Sequence, residues 1–196
     1  RIPKPQTEIL ACQKGEHGLA SGQFDQATSY FKSISKDSPY YGRACKGHGT
    51  ALLKLRRWSE ALTVLQTAHE AFPDDPDIVV DGADAVRLLG DLSGAEGLYL
   101  EARKLGANGF QIRFGEASIC QERKLWVEAI KLWTELGISY PNNPDVLQNL
   151  GKAWHELGET DKAISLMLAA FESGGETVTL SMLGVLAPHA RSYGHE

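Results

Sequence analysis

The residues best able to do chemistry in this chain are two His-Glu pairs, a Gly-His-Gly run and a cluster of aspartates. His69-Glu70 and His155-Glu156 each open like a helical zinc motif, which needs a second histidine four residues after the first. The first runs into Phe72-Pro73 and the second into Leu157-Gly158-Glu159, so neither closes. Gly47-His48-Gly49 begins like a dinucleotide fingerprint, but Leu52 stands where the third glycine belongs and no strand precedes it; it reads as helix packing. Asp74, Asp75 and Asp77 would suit a calcium loop, yet Pro73 and Pro76 break the ligand spacing and helix capping accounts for them. There is no G-x-S-x-G elbow and no Walker loop. His189 and His195 could hold a metal in a tail, but a solvated tail is the expected reading. The expectation is therefore a chain that is not an enzyme, with no cofactor and no metal.

Composition narrows the class. A formal charge of −5 opposes binding to a nucleic-acid backbone, which needs concentrated positive charge. No run approaches the ~18 apolar residues of a membrane span, and Arg1 to Gln6 lacks the apolar stretch of a secretory signal. Cys12, Cys45 and Cys120 are an odd, scattered set that reads as buried or half-buried free thiols. That usage points to a reducing, cytoplasmic compartment, with the periplasm as alternative.

Behind these residues lies a period of 34. Ala27, Ala61, Ala95, Ala129 and Ala163 recur without a gap. Four residues after each comes Phe31, Leu65, Tyr99, Trp133 or Met167, and three further on Ile34, Ala68, Ala102, Leu136 or Ala170. Twelve residues before each is a small residue: Gly15, Gly49, Ala83, Ala117 or Gly151. Twelve after comes a breaker, Pro39, Pro73, Pro141 or Gly175, with Ala107 the exception. Such columns describe two helices per unit, the small residue letting the second approach the first. Gly22, Gly90 and Gly158 fall between the helices as C-terminal caps, with Arg56 and Lys124 replacing glycine in units two and four. Trp58, Trp126, Trp133 and Trp154 occupy core positions of this pattern.

These columns resemble the tetratricopeptide repeat (TPR) family over roughly residues 8 to 177. The resemblance implies an all-α fold, a right-handed α-solenoid of five hairpins at 8–41, 42–75, 76–109, 110–143 and 144–177. A segment at 1–7 is expected to be extended. Leu180, Leu183 and Leu186 keep helical spacing, so 178–187 is expected to be a capping helix, with 188–196 a tail or linker.

The resemblance further implies that the free face of each first helix lines a concave groove for a partner protein or peptide. Mapped by position, that face takes Arg43, Lys46, Thr50, Leu53 and Lys54 in unit two. Unit three gives Asp77, Val80, Asp84 and Arg87; unit four gives Phe114, Ser118 and Gln121; unit five gives Gln148 and Lys152. The groove is expected to be basic at unit two, mixed at unit three and polar beyond. Phe114 is placed away from its partner helix, either as an anchor for a bound chain or as part of the contact between units. Some TPR proteins clamp the carboxylate tail of a chaperone, and Lys46 matches their first lysine. Thr50, Asp81, Gln111 and Gly115 do not match the rest, so a chaperone tail is not the expected ligand. A groove of asparagines also fails, with Gln13, Gly47, Asp81 and Gly115 preceding the lone Asn149.

The expected role is a protein-binding scaffold or adaptor, its basic cluster reading an acidic segment or a carboxylate. The alternative is the recognition arm of a larger enzyme, such as a TPR-linked glycosyltransferase, sulfotransferase or oxygenase, an idea kept open by the absent initiator Met and the ending at His195-Glu196. Self-association through end helices is a third. On this reading, charge reversal at Lys46 and Lys54 weakens partner binding and leaves the array folded.

Overall fold

In the computed structural model, which describes residues 4–107 and 109–174, every regular element is a helix. Ten helices occupy the described residues: α1 Lys4–Ala20, α2 Phe24–Lys32, α3 Tyr41–Lys54, α4 Trp58–Ala71, α5 Pro76–Leu88, α6 Leu92–Lys104, α7 Phe110–Glu122, α8 Trp126–Ser139, α9 Pro144–Glu156 and α10 Thr160–Glu172. Successive pairs pack as antiparallel hairpins, α1 with α2 through α9 with α10. The fold is an all-α array of hairpins, as expected. The described residues divide into two compact blocks, 4–107 and 109–174. In the first, α2 packs on α3 and α4 on α5; in the second, α8 packs on α9.

The repeat columns explain the packing. All five alanines of the period are completely buried, as are the side chains four residues on, from Phe31 to Met167. The small-residue column accepts those side chains at close range. A Cβ added at Gly49 would lie 2.5 Å from Leu65, so a larger residue there would push the hairpin open.

Each first helix stops the same way. Gly22, Arg56, Gly90, Lys124 and Gly158 all have positive φ, between 60° and 95°. The next residue's amide closes a six-residue ring, as in Gln23 N–H to Gly18 O at 2.8 Å and Leu125 N–H to Cys120 O at 2.9 Å. This is a Schellman cap, and it holds whether the left-handed residue is glycine or not. Two first helices, α5 and α9, start on residues the sequence marked as caps. Asp75 Oδ1 accepts from Asp77 N–H at 3.0 Å with Pro76 at the first position, and Asn143 Oδ1 accepts from Val146 N–H at 3.1 Å ahead of α9.

Two expectations change. Residues 4–7 are the start of α1, not extended chain; proline is tolerated in a first helical turn, where its missing N–H has no partner to lose. The exception at Ala107 also resolves: Gly106 takes φ +93° and Ala107 N–H bonds to Ala102 O at 2.9 Å, so a glycine cap does the work of the absent proline. The capping helix expected at 178–187 and the tail at 188–196 lie outside the described residues.

Arg56 and Lys124 carry the cost of a left-handed backbone on a residue with a Cβ. Lys124→Gly relieves it and is expected to raise the free energy of unfolding by about 1 kcal/mol, measured by urea denaturation. An equal or lower stability would mean that the Lys124 side chain contributes more than the strain.

Candidate binding face of the first helices

In the first block the first helices also touch one another directly, α1 with α3 and α3 with α5. Residues from adjacent helices therefore meet at offsets just short of one repeat. Arg43 Nε and Nη2 donate to both carboxylate oxygens of Glu16, at 2.7 and 2.8 Å. Lys46 Nζ donates to Asp75 at 2.7 Å and to Asp77 at 3.2 Å. Thr50 Oγ1 lies 2.5 Å from Asp81 Oδ2, and 3.2 Å from the Lys46 carbonyl it faces one turn back. Further along α5, Tyr99 donates to Asp84 at 2.6 Å and Arg87 reaches the same oxygen at 3.5 Å. The result is a ladder of alternating charge crossing α1, α3 and α5. A cleft of about 430 Å³ opens on it, lined by Glu16, Arg43, Lys46, Thr50, Phe72 and Asp75.

This corrects the expectation of a basic surface at unit two. Arg43 and Lys46 are there, but carboxylates from both neighbouring helices neutralise them, and Asp81 and Asp84 tip the α5 end toward negative charge. Lys54 is exposed at the end of α3. Leu53 is half-buried against the core that holds Leu52 and Ala61. Burial works against the charge of Lys46, yet its bonds to Asp75 and Asp77 hold its pKa above the usual lysine value. For Asp81, burial dominates. Its pKa is pushed up to about 6, with the Asp84 charge adding to the rise and the Thr50 hydroxyl and Lys46 opposing it. Burial and the adjacent Asp84 likewise push the Tyr99 phenol up, keeping it a neutral donor.

In the second block the proposed residues behave differently. Phe114 does not point away from its partner helix: its ring meets Trp133 of α8 edge-on, 4.7 Å between centroids, and Phe110 at 5.4 Å. Ser118 and Gln148, also assigned to the open face, are buried, as is Val80 of α5 in the first block. The reason is common to several of these. Cys12, Lys46, Val80, Phe114 and Gln148 form one column, three residues before the small-residue column, and i to i+3 neighbours share a helix face. That face looks into the packing. Gln121 links the first helices α7 and α9 with Asn149, donating to Asn149 Oδ1 at 3.2 Å while accepting from Trp133 Nε1 at 3.0 Å. Lys152 is half-buried, and desolvation lowers its pKa against the attraction of Asp145.

Glu16, Asp75 and Tyr99 were missed as members of this face, and Asp81 and Asn149 were placed in the groove without a role. A usable signal existed. Lys46 to Asp77 and Thr50 to Asp81 both span 31 residues, one repeat less three, which is the offset at which neighbouring first helices meet. Elsewhere Cys12 and Cys45 are buried and Cys120 half-buried, with burial raising the first two pKa values. Among the described residues no cluster of His, Cys, Asp and Glu is arranged to hold a metal ion, and no helix is long and apolar enough to cross a membrane.

Comparison with known proteins agrees with this architecture. The tetratricopeptide repeat family model matches residues 18–80. No curated protein matches the chain in sequence. Among solved structures, a thermophilic TPR protein of Thermus thermophilus superposes with a TM-score of 0.76 at 16% identity, covering 92% of this chain and 99% of that one. The Cut9–Hcn1 hetero-tetramer of the APC/C gives 0.79 at 16% identity, covering 95% of this chain and 38% of that one. MamA of Desulfovibrio magneticus, from residue 41 to its end, gives 0.56 at 18% identity over 76% of this chain and 85% of that one. At such identities the likeness is one of fold.

Asp81 supplies a pH test of the ladder. Its folded pKa of about 6 lies above the unfolded value of 3.8, so the folded chain binds this proton more tightly. Its contribution is therefore fully present below the unfolded value and is lost as pH rises through about 6. Asp81→Asn removes that dependence. The variant is expected to gain on wild type by roughly 1–3 kcal/mol between pH 4 and pH 7.5 in urea denaturation. A constant difference across that range would place Asp81 in a solvated environment.

Proposed function

We propose that this chain is a protein-interaction scaffold that binds a segment of a partner protein along the first-helix face of α1, α3 and α5. The observation that carries the reading is the ladder itself. Its charged side chains are built on rigid helices, tied to one another, and still reach solvent: the Arg43 side chain is 50% exposed and that of Asp77 76%. The alanine column and the two apolar columns that follow it, from Ala27 to Ala170, hold none of these charges. Held polar groups of both signs suit recognition of a partner that presents both, since a preorganised site pays less ordering entropy on binding. The tetratricopeptide fold of the chain supports protein binding as its general role.

The partner class follows from the charge pattern. Lys54 and the outer edge of Arg43 offer cations near the cleft, while Asp77 and Asp84 offer anions along α5. A segment with acidic residues toward α3 and basic residues toward α5 fits this order. An all-acidic tail does not, because Asp75, Asp77 and Asp81 line its path.

Lys46 is a poor test position. Its ammonium is the counterion of Asp75 and Asp77, and a glutamate there sets three carboxylates together, so charge reversal would probe folding first. Arg43→Gln with Lys54→Gln changes exposed side chains and is expected to leave the thermal midpoint within about 2 °C. Affinity capture from source extract, read by mass spectrometry and followed by titration of the captured protein, should show a loss of about tenfold or more in the double variant. Undiminished binding would move the partner off this face.

A further inference from the structure

On the other side of α5 from Asp77, Asp81 and Asp84 lies a second cleft, of about 420 Å³. Its apolar walls come from Leu62 and Leu65 of α4, Ile78 and Val86 of α5, and Leu98 of α6. At its floor is Gly82, where an added Cβ would meet nothing within 4 Å. At its edge the Nδ1 atom of His69 is buried without a hydrogen-bond partner.

The repeat shows what is missing. Gly82 occupies the column of Leu150, and Leu65 and Val86 occupy those of Trp133 and Trp154. In the second block these columns, with Ile130, Val146 and Leu166, close into one hydrophobic cluster. At three of these positions, Leu65 of α4 and Gly82 and Val86 of α5, the side chain is smaller, and the volume that a leucine and indole rings fill elsewhere stands open. One repeat earlier the matching cleft, between α2, α3 and α4, holds the larger His48 and is rimmed by Lys32 and Lys36. Their counterparts around Gly82 are Gln66 and Glu70, and Thr67 is replaced by Glu101. Glu70 and Glu101 are exposed, and no lysine or arginine lines this cleft.

We propose that the Gly82 cleft is a docking site for one indole side chain of a partner protein, presented between lysine or arginine residues. The apolar wall takes the ring that this hairpin lacks, and desolvating it supplies the attraction. The two rim carboxylates select the cations on either side. Occupation of this cleft is independent of the ladder, which lies across α5 from it.

The probe is a blocked Lys-Lys-Trp-Lys-Lys peptide titrated into methyl-labelled full-length chain by NMR, with peptides carrying Ala for Trp or Glu for Lys as controls. Shifts at the methyls of Leu62, Val86 and Leu98 are expected with the first peptide and not with either control. Gly82→Leu restores the side chain found at Leu150; it is expected to weaken binding about tenfold or more while raising Tm by about 3 °C, through a better helix former and a filled gap. Glu70→Gln with Glu101→Gln, both exposed, is expected to weaken the lysine-flanked peptide severalfold with Tm unchanged. No methyl shift at millimolar peptide, or equal binding by Gly82→Leu, overturns the proposal. So does a wild-type dimer that becomes monomeric in Gly82→Leu, since the cleft would then be filled by a second copy.

Discussion

The contact on which the rest of the structure depends is the one between a small residue on the first helix and the side chain that enters over it from the second. Gly49 against Leu65 and Gly15 against Phe31 leave no room for a Cβ, and the alanine four residues before each entering side chain is completely buried. That approach distance only works if the two helices are joined at a fixed angle. The left-handed residue and the six-residue hydrogen-bonded ring after every first helix provide the angle. The ring is kept even where the chain pays for it with Arg56 or Lys124. A geometry retained at the expense of backbone strain is one that the packing enforces from both sides.

Because that contact is local and repeats, the fold was legible. Each column needs only one chemical property, small or apolar, and each property is visible in the residue type. The caps at Asp75 and Asn143 were visible for the same reason. Legibility failed where a residue's surroundings come from another repeat. Lys46 looks like a groove cation, but its column also holds Cys12, Val80 and Gln148, all buried. Reading that column down the repeats would have shown a packing position, and Phe114 with it. The charge of the face was misjudged similarly. Residue type reports the cation, while its counterion sits 29 or 31 residues away on the next first helix.

Asp75 shows how closely folding and the charge of this face are joined. One of its oxygens accepts from the Asp77 backbone at the start of α5, and the other accepts from Lys46. The residue that begins a helix therefore also fixes a charge on the exposed face of the preceding hairpin. Asp84 plays a comparable part, joining the buried Tyr99 of α6 to the surface of α5. Polar groups of the face are thus anchored in the elements that build the core. They hold their positions without a ligand, and preorganisation of that kind is what lets a modest number of contacts discriminate between partners.

A repeat protein can also make a site by subtraction. The column that carries Leu150 in one hairpin carries His48 in another and Gly82 in a third, and the backbone is helical at all three. Leucine closes the core around itself, histidine occupies a cleft rimmed by lysines, and glycine leaves a cleft rimmed by glutamates. None of these changes disturbs the small-residue contact or the left-handed turn, since both lie in other columns. A solenoid tolerates the loss because each hairpin draws its stability from its neighbours as well as from itself. Divergence among the columns outside the hairpin contact is thus where distinct surfaces arise on an unchanged frame, and Gly82 is a position where the frame has been left open.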